Sequence, residues 1–524
     1  MASKKQPSGR QGSPLERHAN PLVRTLGKLP ADFTRKDLLG YIRRHDIRSV
    51  HFRYPAIDGK LKELKLPVND LADMDAVLAE GERVDGSSLF KGMVDPGRSD
   101  MYVVPMYRTA FLNPFVPDCL SLLCRFIDSK GELAAFMLDN ILARSAEALR
   151  ADTGLEMTAL GELEFYAVYP EDQDLYPGRP QSFYHEASPY VKLGDFSEEI
   201  LRHTAEVCGG VKYCHSEVGY IKASPEDLPE IRNKRLSQYE LEFLPAPLLE
   251  TAGRLLTAKW LIRNFAARRG ILVTFAPKLS LGDAGSGMHI HMSLRKGGKN
   301  VLTDARGSLT ASAHGLIGGL LRSAGGLTAF GNTCAASYLR LVPHQEAPVK
   351  VCWSAANRSA LVRVPLGWRG VDNLACRVNP GQPRDFKGEM FGQTVELRSP
   401  DGSADVCLLL AGLAVAAREG LKDRGGSRKL VDSCNVVTNI FDDKKLLARL
   451  ESLPRNCWES ARILERQRRV YEDRGIFPPE VVDFCLRRLR AEDDRHLAAR
   501  LSRMPARRRS EGVRGLMRSS LHCM

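Results

Sequence analysis

The feature that most constrains this chain is a recurrent two-residue alternation of ionisable and apolar side chains. Successive side chains of a β-strand point to opposite faces. In LGELEFYAV, Glu162 and Glu164 therefore share one face, and Leu163, Phe165 and Ala167 the other. In SQYELEF, Gln238, Glu240 and Glu242 oppose Tyr239, Leu241 and Phe243; in GMHIHMSL, His289 and His291 oppose Met288, Ile290 and Met292. In TVELRSP, Glu396 and Arg398 share a face. Four such strands predict a sheet with one apolar face and one ionisable face. A solvated outer face alternates too, but it usually carries Lys, Thr and Ser, whereas these carry Glu and His. Carboxylates held side by side repel unless a cation lies between them. The glycine-dense loop GDAGSGMH suits close backbone approach to a ligand. Carboxylates with an imidazole suit Mg²⁺ or Mn²⁺.

Composition narrows the alternatives. The 12 cysteines include no CxxC and no pair at zinc-finger spacing, so any metal is expected on oxygen and nitrogen, and the thiols read as buried in a reducing compartment. With 524 residues, 43% hydrophobic and 27% charged, the chain can bury a large core. Its longest apolar run, Cys407–Ala417, has 11 residues; a helical membrane span needs about 20. The N-terminus lacks an apolar signal core, so a cytoplasmic protein without a membrane partner is expected. The net charge is +13. Residues 1–30 carry +5 of it and residues 500–524 carry +6, leaving a nearly neutral body. The two ends read as solvated, disordered tails, and a nucleic-acid partner is not expected.

Along the chain, residues 1–30 form the first basic tail, 31–115 a small α+β domain, 116–499 a large domain opened by the strand LSLLCRFI, and 500–524 the second tail. Helical spacing predicts helices near Leu138–Arg150, Leu255–Arg269, Ala404–Glu419, Trp458–Glu472 and Pro479–Arg500. A basic cluster, Arg340, Arg358 and Arg363, accompanies Glu346 in SYLRLVPHQEAP and NRSALVRVP. Arginine forks bind carboxylates and phosphates. Together with carboxylate-held metals they form equipment for phosphoryl transfer.

These motifs, in order VDGSS, GELEF, HSEV, QYE, GDAGSGMHIHMSL, SYLRLVPHQEAP, NRSALVRVP and VELR, resemble the glutamine synthetase family, nearest its bacterial type I branch, over roughly residues 31–500. The resemblance implies an α+β fold: a small β-grasp-like domain, then a catalytic domain with a curved antiparallel sheet flanked by helices. It implies one metal site on Glu164, Glu217 and Glu240 and a second on Glu162, His289 and Glu396. Arg340, Arg398 and Gly285 match substrate-glutamate positions, and Arg358 one facing the transferred phosphate. Glu346 matches the flap carboxylate, and Asp85 and Ser88 a loop lent by a neighbouring subunit in a ring oligomer. His291, Ser293 and Arg363 fall near the nucleotide pocket. The implied reaction joins glutamate and ammonia with ATP and two or more divalent ions.

Departures from the pattern keep two alternatives open: a γ-glutamyl ligase for a larger amine such as a polyamine or ethanolamine, and an inactive assembly protein of the same fold. The stretches near 219–237 and 366–393 are longer than the family usually has. The basic residues that normally precede the last metal glutamate are missing from GQTVE, where Arg384 or Lys387 is the candidate substitute. Ala284 stands where ammonia-using members usually carry Asn. Phe441 replaces the adenylylated tyrosine, so no adenylylation is expected there.

Overall fold

A computed structural model describes residues 14–56, 59–91, 93–94, 99–170, 175–342, 347–367, 373–386, 392–438, 440 and 444–522. They form two compact units. The first runs to Tyr54 and includes Leu61–Leu133 and Arg202–Gly209; the second comprises Pro55–Lys60, Ala134–Leu201 and the chain from Gly210 on.

The first unit contains β1 (Ser49–Pro55), β2 (Leu61–Pro67), β3 (Glu82–Asp85), β4 (Asp100–Pro105), β5 (Phe111–Leu112) and β6 (Cys119–Ile127). They pair in the order β2-β1-β6-β4-β3, with β5 on β6. Here the sequence reading needs correction. The strand expected to open the large domain is β6, and it lies parallel to β1 in the small sheet, Val50 beside Leu120 and Phe52 beside Leu122. An apolar strand needs cover on both faces, but its composition does not say which sheet supplies it. The first basic tail also differs from expectation. From residue 14 on it contains a helix, Pro21–Leu26, capped by the Asn20 side chain and burying Leu22 and Val23.

The second unit is built on β7 (Glu156–Pro170), β8 (Val211–Lys222), β9 (Lys234–Phe243), β10 (Ala246–Pro247), β11 (Leu272–Thr274), β12 (Ile290–Lys296), β13 (Lys299–Asn300), β14 (Trp353–Ala355), β15 (Val362–Val364) and β16 (Val395–Leu397). Their order is β14-β15-β16-β12-β7-β9-β8, with β10 and β11 pairing β7 and β13 pairing β12. All pairs are antiparallel except β14–β15. The α+β order expected from the sequence, a small unit and then a large sheet with helices, is the one observed. The apolar face, with Leu163, Phe165, Leu241, Ile290 and Met292 all buried, is the core side. The helix Leu248–Arg268 crosses it so closely that a Cβ on Gly161 would meet the Leu255 side chain at 2.8 Å.

Two helical expectations are corrected at the C-terminal end. The helix from Pro479 ends at Ala491 rather than Arg500. Asp494 is needed elsewhere: its carboxylate accepts from the backbone N–H of Cys457 at 2.6 Å and Trp458 at 3.2 Å, capping the helix Cys457–Glu472. Residues 506–519, expected as a solvated tail, form a helix. Its Arg518 meets Asp227 at 3.2 Å with both side chains buried. Val513, Met517 and Leu521 are buried too. Val513 and Met517, four apart, share one helical face, and Leu521 follows just past the helix end, inside a segment whose net charge reads as solvated. No described helix is long and apolar enough to cross a membrane.

Candidate active site

The strand register assembles the ionisable face. Glu162 lies opposite Glu242 and Glu164 opposite Glu240 across β7 and β9. His215 on β8 also faces Glu240. On the other side of β7, His291 of β12 lies opposite Glu396 of β16, and Arg363 of β15 pairs with the same glutamate. Directly opposed residues on one face have their Cβ atoms about 5 Å apart, so five strands bring their acidic and imidazole groups into one strip and β15 adds Arg363.

Three groups within the strip offer ligand atoms within 4.8 Å of one another: Glu162–His289–Glu396, His215–Glu217–Glu240 and Glu162–Glu240–Glu242. His289 Nδ1 lies 2.8 Å from Glu162 Oε2 and 3.6 Å from Glu396 Oε1. His215 Nε2 lies 3.2 Å from Glu240 Oε1. Burial, and then the charges of Glu162, Glu164, Glu217 and Glu242, push the Glu240 carboxyl well above its ordinary range. Burial also opposes the charge on Glu162, yet His291 and His289 hold that carboxyl well below its range. Burial lowers His291, but Glu162 more than restores it and its pKa ends raised. So many carboxylates under mutual repulsion, with imidazoles among them, fit divalent cations as a donor set.

Of the expected first metal set, Glu217 and Glu240 offer ligand atoms close to one another. Glu164 points its Oε2 at Gln238 Nε2 and the Gly287 backbone N–H, both at 2.9 Å, while His215 joins Glu217 and Glu240. Sequence reasoning passed over His215 and Glu242, which belong to two of these candidate groups. The signal was available: in HSEV, His215 and Glu217 are two apart on one strand, and Glu242 continues the face of Glu240.

Beside the strip is a pocket lined by Glu164, Glu217, Gln238, Gly285, Arg340 and Arg398, among others. Both arginines are buried. Arg340 donates to the Ser399 carbonyl at 2.9 Å, and Arg398 Nε to Glu396 Oε1 at 3.0 Å. The glycine loop needs its glycines for space. A Cβ on Gly285 would sit 2.4 Å from the Pro277 carbonyl oxygen, and one on Gly287 would sit 2.7 Å from Arg340 Nη2.

The other expected site residues are dispersed. Arg363 Nη1 contacts Glu396 Oε2 at 2.9 Å, and His291 Nε2 contacts Glu162 Oε1 at 2.8 Å, so both stand at the acidic strip. Ser293 is buried and shares a hydrogen bond with Thr158 at 2.7 Å. Arg358 is exposed in the turn between β14 and β15. Asp85 and Ser88 belong to the first unit. There the Asp85 carboxylate accepts from the Ser88 hydroxyl at 2.5 Å and from the Ser87 hydroxyl at 2.7 Å and N–H at 2.9 Å. Those bonds hold its pKa down to about 2. Glu346, Lys387 and Phe441 lie outside the described residues; Arg384 is exposed.

The model of the glutamine synthetase beta-Grasp domain matches residues 46–129, and that of the glutamine synthetase catalytic domain residues 140–504. A glutamine synthetase of Sulfolobus acidocaldarius is 27% identical over 460 residues, 82% of this chain and 89% of its own. One from Frankia alni is 31% identical over 422 residues, 74% of this chain and 81% of its own. Among solved structures, a GmaS/ADP complex superposes with a TM-score of 0.70 at 20% identity, covering 90% of this chain and 98% of the other. The Plasmodium falciparum glutamine synthetase superposes with a TM-score of 0.70 at 19% identity and the same coverage.

Proposed function

The chain belongs to the glutamine synthetase family, and from that premise we propose that it is an ATP-dependent ligase joining the γ-carboxylate of glutamate to ammonia through γ-glutamyl phosphate. The observation that carries this reading is the abutment of an acidic strip, competent for two or more divalent cations, on a pocket lined by two buried arginines. Glu162, His289 and Glu396 would hold one cation, and Glu217 and Glu240, with His215 or Glu164, another. Mg²⁺ or Mn²⁺ bound there would screen an anionic carboxylate from an anionic phosphate.

Arg340 and Arg398 bind glutamate's carboxylates in this proposal, since a guanidinium fork matches a carboxylate. The γ-carboxylate oxygen attacks the γ-phosphorus of ATP, the bond to the bridging oxygen breaks, and ADP leaves. His291, Ser293 and Arg363 are assigned to the nucleotide, and Arg358 to the transferred phosphate. The amine nitrogen then attacks the acyl carbon and phosphate departs. Glu346 closes the pocket and accepts the surplus proton of the ammonium. Asp85 and Ser88 come from the neighbouring subunit of a cytoplasmic ring. On this reading the active species sediments as a ring oligomer; full activity in a sedimenting monomer would overturn the shared site.

A second reading, a larger primary amine as acceptor, draws support from a specific feature beside Glu217 and Glu240. Tyr184 stacks on His185 with ring centroids 4.2 Å apart, His185 lies 4.2 Å from His215, and Tyr213 lies 5.4 Å from His215. Tyr184 and Tyr213 are exposed. An aromatic wall attracts alkylammonium ions, and Ala284 and the long stretches flanking the site suit a roomier acceptor. ADP release with glutamate plus ammonia, ethanolamine or a polyamine separates the two. Turnover with ammonia alone supports the first reading, preference for a carbon-bearing amine the second, and no glutamate-dependent turnover with any of them defeats both.

A further inference from the structure

We infer that the C-terminal helix Ala506–Ser519, together with Leu521, is a brace that positions the pocket's glycine loop, with Arg518, Asp227 and Leu521 as positioning residues. The helix begins beyond residue 504, where the match to the family's catalytic domain stops. Its docking platform is the long stretch between Glu217 and Gln238. Arg518 Nε bonds Asp227 Oδ1 at 3.2 Å, with the two side chains 5% and 3% exposed. Arg514 lies 3.6 Å from Glu226, and His522 lies 3.5 Å from Glu230. Asp227 is itself fixed, its other carboxylate oxygen accepting from the Ser224 N–H at 2.9 Å. The C-terminal helix and the segment Ser224–Glu230 thus hold each other.

The contact does not end at the surface. Leu521 is fully buried in one apolar cluster with Tyr166, Val168, Ile221, Ile231, Ala276 and Leu279. Ala276 and Leu279 open the glycine loop, whose far end carries Ala284 and Gly285 in the pocket wall. The ends are tied together, since Ser286 N–H donates to the Pro277 carbonyl at 3.0 Å. Tyr166 supplies a second tie. Its hydroxyl donates to the Ala284 carbonyl at 2.9 Å, and it lies against Gly219, whose Cβ would approach it to 2.0 Å. Gln238 closes the circuit, donating to Glu164 at 2.9 Å and to the Gly285 carbonyl at 3.1 Å. Removing Leu521 opens the cluster on which both ties stand. Packed interiors transmit such a change because they contain few voids to absorb it.

The test compares the full chain with a truncation ending at Met504 and with Leu521→Ala, Arg518→Met and Arg518→Lys. Amide hydrogen exchange is followed in 277–287 and, as an internal reference, in the helix Val406–Lys422. The truncation is expected to speed exchange in 277–287 about tenfold with the reference helix unchanged. Arg518→Met should follow in smaller degree, and Arg518→Lys should recover part of the protection because it keeps the charge. The Michaelis constant for glutamate should rise about fivefold to tenfold while that for ATP and kcat stay within about twofold. This kinetic arm rests on the ligase reading, whereas the exchange arm does not, so the two can fail separately. Unchanged exchange in 277–287 of a folded truncation would overturn the brace. So would faster exchange to the same degree in the reference helix, or an equal rise in both Michaelis constants. If the truncation does not fold, Leu521→Ala and Arg518→Met decide by the same measures.

Discussion

Glu396→Gln is expected to lower turnover about 10³-fold, the scale of the roughly 4 kcal/mol that a cation clamp contributes to a phosphoryl-transfer barrier. Glu396 is 1% exposed and is the most heavily committed carboxylate of the strip. Arg363 and Arg398 bond its two oxygens at 2.9 and 3.0 Å, while His289 stands 3.6 Å away. The amide keeps the volume and one acceptor oxygen, but loses the charge that a cation needs. It also leaves Arg363 and Arg398 sharing a weaker acceptor, at a cost of about 1.5–3 kcal/mol in stability, which a chain this size tolerates. His289→Ala should lose activity similarly, because it removes the nitrogen donor from the same group. ADP release gives the activity, far-UV circular dichroism shows that the fold persists, and Mn²⁺ titration should show weakened binding in both variants. Near-wild-type turnover in either one would remove the strip from the chemistry.

Divalent cations are expected to stabilise the protein, and increasingly so as the pH rises. The direction follows from three groups. The Glu240 carboxyl is raised well above the value of 4.5 it has when free. The folded protein therefore keeps a proton that the unfolded chain releases above that pH, and stability without metal falls as pH rises toward the folded value. His291 is raised above 6.5 and acts in the same sense: its contribution is complete below that pH and is lost as pH rises through its folded value. Glu162 works the other way, since its lowered pKa gives stability above 4.5 that is lost as pH falls. Above about pH 5.5, however, Glu162 is ionised in both states and contributes no further slope, so among these three groups Glu240 and His291 set how the cation's contribution changes with pH. A bound cation takes over the role of the retained protons. At a concentration a hundred times its dissociation constant it adds about 2.7 kcal/mol. Thermal unfolding with Mn²⁺ and with EDTA, from about pH 5.5 to about pH 8.5, should give two curves that diverge upward in pH. Curves that coincide, or whose separation shrinks as the pH rises, would contradict the assignment of the strip as a cation site.

The sites legible in the sequence were those set by local geometry. Period two along a strand is a backbone property, so GELEF alone put Glu162 and Glu164 on one face, and HSEV held His215 and Glu217 in the same relation although only the glutamate was taken up. Motif order carried the family and the two-part α+β architecture. The partners of each strand were another matter. His291 and Glu396 are 105 positions apart in the chain, and their opposition depends on β12 closing against β16 in one register. The same holds for β6, whose apolar text fits either sheet until it pairs with β1.

The sequence by itself determined which side chains travel together, the acidic and imidazole sets on their strands and the apolar sets behind them, because that follows from backbone period and solvent. Tertiary structure alone decided that His215 joins Glu240, that Glu164 turns to Gln238 and the glycine loop, and that a basic C-terminal segment folds onto Asp227. Those outcomes hinge on long-range register and on the burial of opposite charges against each other. Neither composition nor local period encodes them.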